Sequence, residues 1–337
     1  MSVLSTISTW LLGLFPTPKP TTTTPTKLPQ CKYLLNNSTS SILLLPDGRK
    51  LGYAQYGSPT GIPIFYLHGF PGSRLEVSSL HDIALSLNAR IISLDRPGIG
   101  WSSPHPSRTL LDFPRDVERL AAHLGVERYS VLGVSGGGPY ALACAYALPQ
   151  RSLVSATLVC GLGPRDIGMK GAGFVHKLGY GFGFTWAPVW AIRWLFSREP
   201  MGRIDLSDEE RFRWQMELAE KVENEKDLIY YNDPDRVLVN LRSAREAFAQ
   251  GWGVVRDDWR VLVREFGFRV QDVREDLPVR LWYGKQDTFV PSNHGVQIAA
   301  RLGARARLRV EDDTHASIWF RWQREILRGI VEEHGRV

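Results

Sequence analysis

The chain has 337 residues, 43% of them hydrophobic and 23% charged, with a formal net charge of +6. Such a chain buries a large core in one domain or two, which excludes a disordered or fibrous class. Its 41 Lys and Arg are interleaved with 35 Asp and Glu rather than set in blocks, so the basic balance reads as a solvated surface and no nucleic-acid module is expected.

The first stretch, "VLSTISTWLLGLF", is apolar in part, but no Lys or Arg precedes it. It falls short of the roughly 20 residues a membrane span needs and lacks a signal-peptide n-region. The Pro/Thr tract "PTPKPTTTTPTKLP" that follows cannot bury enough apolar surface to fold. Residues 1–37 read as a flexible leader, with a weak membrane-surface anchor or an unusual signal peptide as the alternatives. The sequons at Asn36 and Asn37 matter only in a secreted chain. Cys31, Cys144 and Cys160 match no metal spacing. Cys144 and Cys160 sit in apolar segments as small core residues, nothing demands an oxidising compartment, and a cytoplasmic location is expected.

From about Ser40 the pattern becomes regular. "SILLL" and "KLGYAQYG" around "PDG" read as a β-hairpin. "IPIFYLHG" and "ARIISLD" are continuous apolar runs, as in strands covered on both faces, with the helix "SSLHDIALSLN" between them. A helix starts at Asp112 as cap with Pro114 in its first turn. Val117, Leu120, Ala121 and Leu124 form its apolar face, and Gly125 ends it. "YSVLGV", "GPYALACAYAL" and "VSATLVCG" follow as strand, helix and strand, so the core is α/β with a mostly parallel sheet wrapped on both faces.

The alternation stops at about Pro164. Residues 164–276 read as an inserted helical cap on an α/β core of residues 38–163 and 277–337. Within it Ser207 and Glu210 make a capping box. Trp186, Trp190 and Trp194 recur every four residues and are placed on one helix face. "PVRLWYGKQD", "NHGVQIAARLG", "ARLRV" and "ASIWFRWQREILRGIVEE" resume the pattern as strand, helix, strand and closing helix.

Gly133-Val134-Ser135-Gly136-Gly137 sits where a strand turns sharply into a helix. A serine there takes strained backbone angles and crowds the positions two before and two after, which glycine tolerates. The free N–H groups of the following helix favour a negative oxygen at that spot. A plain glycine-rich turn is the competing reading. A P-loop is excluded, because the Lys-Ser/Thr ending is missing.

A serine hydroxyl needs a base and the base an orienting partner. Of eight histidines, His81, His123 and His294 fall in helices, and His105, His176 and His334 lack supporting context. His68 ends a strand, whereas His315, in the loop "EDDTHAS" at the C-terminal sheet edge, is the favoured base. Asp287, in "GKQDTFVP" at the same edge, is the favoured acid. A turn or cap role is its simpler alternative, and Asp166 is the competing candidate. Asp312 and Asp313 are too close to His315 in sequence to orient it.

The order Ser135, Asp287, His315, with "HGFPGS", "DRPGIGWSS", "GVSGGG", "GKQD" and "DDTH" in sequence, resembles the α/β-hydrolase superfamily, in its serine variety with a helical cap. The resemblance spans about Ser40 to the C-terminus. It implies an oxyanion hole from the backbone N–H groups of Phe70 and Gly136, with Gly133 and Gly137 completing the nucleophile elbow. Asp95, Gly98 and Gly100 belong to a loop-shaping signature. Epoxide hydrolases and haloalkane dehalogenases, which resemble this chain in the "HGFPG" loop, use an aspartate where Ser135 stands.

The expected activity is hydrolysis of an ester-type acyl bond in a small lipophilic or aromatic substrate, with no cofactor and no metal. Aromatic residues of the cap are candidates to line its pocket, with ordinary packing of cap on core as the simpler reading for any one of them; Arg193 and Arg213 are candidates to meet a substrate carboxylate, with no position assigned. C–C bond, thioester or amide cleavage on the same triad, and a non-catalytic ligand-binding role, remain open. The sequence leaves the oligomeric state undetermined.

Overall fold

The computed structural model describes residues 28, 30–33, 35 and 37–336. The leader expected over residues 1–37 therefore lies mostly outside the described residues. Its last part is held rather than free. Leu28, Cys31 and Leu35 pack against a cluster that includes Phe212, Tyr230 and Val237, and the Tyr33 hydroxyl donates to Asp233.

Eight strands form one sheet: β1 (Ser40–Leu44), β2 (Lys50–Gly57), β3 (Ile62–Leu67), β4 (Ala89–Leu94), β5 (Tyr129–Val134), β6 (Leu153–Val159), β7 (Val279–Gly284) and β8 (Ala306–Glu311). Their order is β1-β2-β4-β3-β5-β6-β7-β8. The first two pair as an antiparallel hairpin and β2 runs antiparallel to β4, while every pairing from β4 to β8 is parallel. The expected mostly parallel sheet is thus present. The chain lays β4 on one side of β3, then crosses to lay β5 on the other. In open α/β sheets the crevice at the C-terminal ends of strands flanking such a reversal is where ligands bind.

Alternation along β3 shows why these strands are apolar throughout. Phe65 and Leu67 enter one core with Phe113, Val117, Leu120, Leu142 and Ile298. Ile64 and Tyr66 enter the other with Val77, Leu80, Ile318 and Ile330. Both faces are covered, so both sets of side chains are mainly apolar, and the one hydroxyl among them, on Tyr66, finds a partner in Glu76.

The helix Phe113–His123 carries the expected apolar face, but Asp112 does not cap it. Its carboxylate instead accepts from Thr109 N at 2.7 Å, closing a box around the 3-10 turn Leu110–Asp112 just before. The box at Ser207 and Glu210 is present on the helix Asp208–Glu217.

Between β6 and β7 every element is helical. This segment is tied to the core by buried charge. Arg96, in the loop after β4, donates to the Gly69 carbonyl at 2.9 Å, to that of His68, and to Asp258 at 2.8 Å. Asp258 belongs to the helix Trp252–Val263 and also accepts from Arg108 at 3.0 Å and the Tyr140 hydroxyl at 3.1 Å. A second tie runs through Arg74, which bridges Asp95 at 2.9 Å and Glu246 at 2.7 Å. Asp95 also accepts from Arg74 N and Trp101 N, consistent with a loop-shaping residue.

Burial alone would raise the Asp258 carboxyl, but Arg96 and Arg108 bring it down to about 2. Because that is below the ordinary value, the stabilisation, about 2 kcal/mol, is present above the unfolded-state pKa and is lost as pH falls through the folded one. Asp258→Ala strands two buried guanidinium groups and is expected to lower unfolding free energy by about 3–5 kcal/mol at neutral pH, read as the urea midpoint. A midpoint unchanged within error would show that the ties carry no stability.

Candidate active site

Ser135 directly follows β5 and opens the 3-10 turn Ser135–Gly137, which runs into the helix Gly138–Ala147. Its φ is +53°, a left-handed conformation that costs a residue with a Cβ about 1–3 kcal/mol. The neighbours at two before and two after are closed in. A Cβ on Gly133 would collide with the Gly137 carbonyl oxygen, and one on Gly137 with that of Leu67. Glycine at both positions is a steric requirement of the turn.

His315 is the first residue of the helix His315–His334 rather than a loop residue, and the Thr314 hydroxyl caps that helix by accepting from Ser317 N. Its Nε2 lies 3.0 Å from Ser135 Oγ and its Nδ1 2.7 Å from Asp287 Oδ2. Asp287 is 3% exposed, and its other oxygen accepts from Phe289 N at 2.8 Å and Val290 N at 2.9 Å. The turn role weighed against the acid role is therefore present: one oxygen shapes the loop while the other meets the imidazole. Phe289 stacks on the His315 ring at 5.1 Å. Burial would lower the His315 pKa, but the Asp287 carboxylate raises it well above the usual imidazole value.

The loop after β3 closes over this group. The Gly69 N–H donates to Glu76 at 3.0 Å, and Glu76 also accepts from the Tyr66 hydroxyl at 2.6 Å. A Cβ on Gly136 would lie 3.2 Å from Phe70 N, so the Phe70 and Gly136 backbones face each other beside Ser135. The Phe70 ring is 5.0 Å from Trp259 and 6.4 Å from Phe196.

The other candidates are spent elsewhere. The fully buried His68 donates from Nδ1 to the Gly69 carbonyl and is held neutral by burial and by Arg96. Asp166 is exposed and paired with Arg301 at 2.6 Å. Asp312 pairs with Lys226, and Asp313 accepts from Ser317 and Trp322.

The aromatic residues of the helical segment divide. Phe196 and Phe248 are buried, whereas Trp186, Trp190 and Trp194 are 73%, 72% and 43% exposed. They do not share one helix either. Trp186 ends Phe184–Trp186, and Trp190 and Trp194 lie on Val189–Phe196. Pro188 forces Ala187 into an extended conformation and breaks the four-residue repeat. Arg193 is exposed and Arg213 partly so.

Several residues near the site carried no sequence signal. Glu76, Arg96 and Asp258 hold the loop backbone, and Asp258 lies far along the chain from its partners. His176, which read as lacking context, is buried with its ring 4.2 Å from Phe289, and burial lowers its pKa to about 4. Cys160 is buried as expected, but at φ +41° it also brings its sulfur 3.9 Å from His315 Nε2. Cys160, Asp287 and His315 put potential ligand atoms within 4.8 Å of one another. Both imidazole nitrogens already face Asp287 and Ser135, so the arrangement fits proton transfer better than metal binding. Among the described residues no helix is long and apolar enough to cross a membrane.

A family model described as the α/β hydrolase fold matches residues 62–169. Proline iminopeptidase of Xylella fastidiosa is 37% identical over 116 residues, 33% of this chain and 36% of that protein. Proline iminopeptidase of Xanthomonas citri is 40% identical over 108 residues, 31% and 34% of the two chains. The chain thus spans about a third of the length of the curated relatives it matches. Among solved structures, a hydrolase from Pseudomonas aeruginosa is similar with a TM-score of 0.58 at 18% identity, covering 89% of this chain and 100% of that one. An esterase from Exiguobacterium antarcticum is similar with a TM-score of 0.59 at 18% identity, covering 88% and 99%.

Because Asp287 is what raises His315, its imidazole is expected to titrate above the usual value in an NMR pH series. Asp287→Asn should move that midpoint down, leaving burial as the dominant influence. An unchanged midpoint would contradict the contact.

Proposed function

This chain has the α/β-hydrolase fold, and from that premise we propose that it is a serine hydrolase cleaving an ester-type acyl bond in a lipophilic substrate. The observation that carries the reading is the unbroken contact from Asp287 through His315 to a strained Ser135.

In this reading His315 is neutral at Nε2 and donates from Nδ1 to Asp287. It takes the Ser135 proton as the hydroxyl oxygen attacks the acyl carbon. The Phe70 and Gly136 N–H groups hold the resulting oxyanion, each contributing about 3 kcal/mol in the transition state. His315 then returns the proton to the departing alcohol. In the second half it activates a water that releases the acid and regenerates Ser135. Residues 164–276 serve as the cap. Phe70 and Trp259, both partly exposed and backed by the buried Phe196, present an apolar wall suited to a lipophilic group.

A second reading is favoured by the relatives' names: removal of an N-terminal residue by amide cleavage on the same triad. The family match ends at residue 169, so it does not extend over most of the segment proposed as the cap. Steady-state rates on a panel of acyl esters, thioesters, amides, β-diketones and proline anilide separate the two. Ester turnover well above anilide turnover supports the first, and the reverse order supports the second.

A fluorophosphonate probe is expected to label the wild type, and Ser135→Ala to abolish labelling with the fold retained. Ser135→Ala or His315→Ala should lower kcat by about 10⁴-fold or more. Near-normal turnover in either purified variant would remove the assignment. Because a protonated imidazole cannot accept the serine proton, kcat/KM should fall on the acid side as pH drops through the raised His315 pKa.

A further inference from the structure

We propose that the outer face of residues 174–196 docks on an anionic phospholipid surface. This goes beyond the hydrolase reading and does not depend on it.

Large apolar side chains stand in water along this one segment. Phe174 is 70% exposed, Leu178 47%, Trp186 73%, Trp190 72% and Trp194 43%. Among the described residues no other tryptophan is exposed. The remaining exposed large hydrophobics are Ile42 and Leu44 on the edge strand β1 and the single residues Leu85, Tyr146 and Val296. Scattered apolar residues are ordinary on a protein surface; concentrated tryptophans are not.

Inward packing does not explain them. On the helix Val189–Phe196, Ile192 and Phe196 face in against Phe248 and Val255, which accounts for that side alone. Trp190 and Trp194 occupy the opposite side. On Phe174–Leu178, His176 faces in while Phe174 and Leu178 face out. Both helices are apolar on the face that an ordinary surface helix leaves polar.

The charged residues of the same stretch of chain select the occupant. Arg165, Lys170, Lys177 and Arg193 are exposed; Asp166, the one acid in residues 164–198, is held by Arg301, and Asp205, which acts on Arg193 from outside that stretch, is held by Arg203. Exposed tryptophan with phenylalanine and leucine along one stretch that also carries exposed lysine and arginine suits the headgroup boundary of a bilayer with negative lipids. A second copy of the chain would set these cations against themselves across a two-fold axis. The leader offers no better match, because residues 1–27 contain Lys19 and Lys27 and no Asp or Glu.

The test is flotation of the full chain with vesicles of phosphatidylcholine alone and of phosphatidylcholine mixed with phosphatidylserine. The wild type should float with the mixed vesicles and less with phosphatidylcholine. Trp186→Ser/Trp190→Ser should lower the bound fraction about tenfold or more, with unchanged melting, since both side chains point into water. Lys177→Glu/Arg193→Glu should reduce binding to mixed vesicles to the phosphatidylcholine level. Three results would overturn the proposal. They are a wild type unbound to either vesicle; a tryptophan variant that floats as well as the wild type, which moves the anchor elsewhere, to the leader included; and a wild type that ignores vesicles but forms a dimer in ultracentrifugation that the tryptophan variant loses.

Discussion

The Arg96 guanidinium is closed inside the protein between the carbonyls of His68 and Gly69 and the carboxylate of Asp258. Asp258 in turn receives Arg108 and Tyr140. One carboxylate therefore joins the loops after β3 and β4, the helix behind the serine turn, and the helical segment above. Buried charge is tolerable only when its hydrogen-bonding capacity is filled, so these parts must meet together or not at all. That constraint places the Phe70 backbone against Gly136.

Around this anchor the site is assembled from strained and shared positions. Ser135 and Cys160 hold left-handed conformations just past the C-terminal ends of the neighbouring parallel strands β5 and β6. Asp287 divides its two oxygens between a loop and an imidazole, so one side chain both builds its own support and completes the contact. Preorganisation of this kind limits how far each group can drift from its neighbour.

The helical segment connects the interior to the outside. Phe196 touches the ring of Phe70, and His176 packs on Phe289 beside His315. The same short helices turn Trp190, Trp194 and Phe174 outward. If their outer face rests on lipid, as inferred, the inner face lies one helix diameter from it, a short path for an apolar substrate.

Much of this was legible in the residues. Period-two and continuous apolar runs mark the strands because both sheet faces are covered, and glycines flanking Ser135 mark the elbow because no Cβ fits there. These are local rules, and local rules survive in one dimension. The sequence misled where a neighbour in space overrode them. Asp112 went to Thr109 instead of the helix it precedes, Pro188 split the tryptophan repeat, and the exposed side of that repeat could not be told from the buried one. The sequence by itself determined the elements, the turn chemistry and the sheet edge at which Ser135, Asp287 and His315 fall. Only the tertiary structure decided that Asp258 would answer Arg96, that His176 would be buried, and that the tryptophans would face out. Pairing across long stretches of chain depends on how whole elements pack, and no spacing along the chain encodes it.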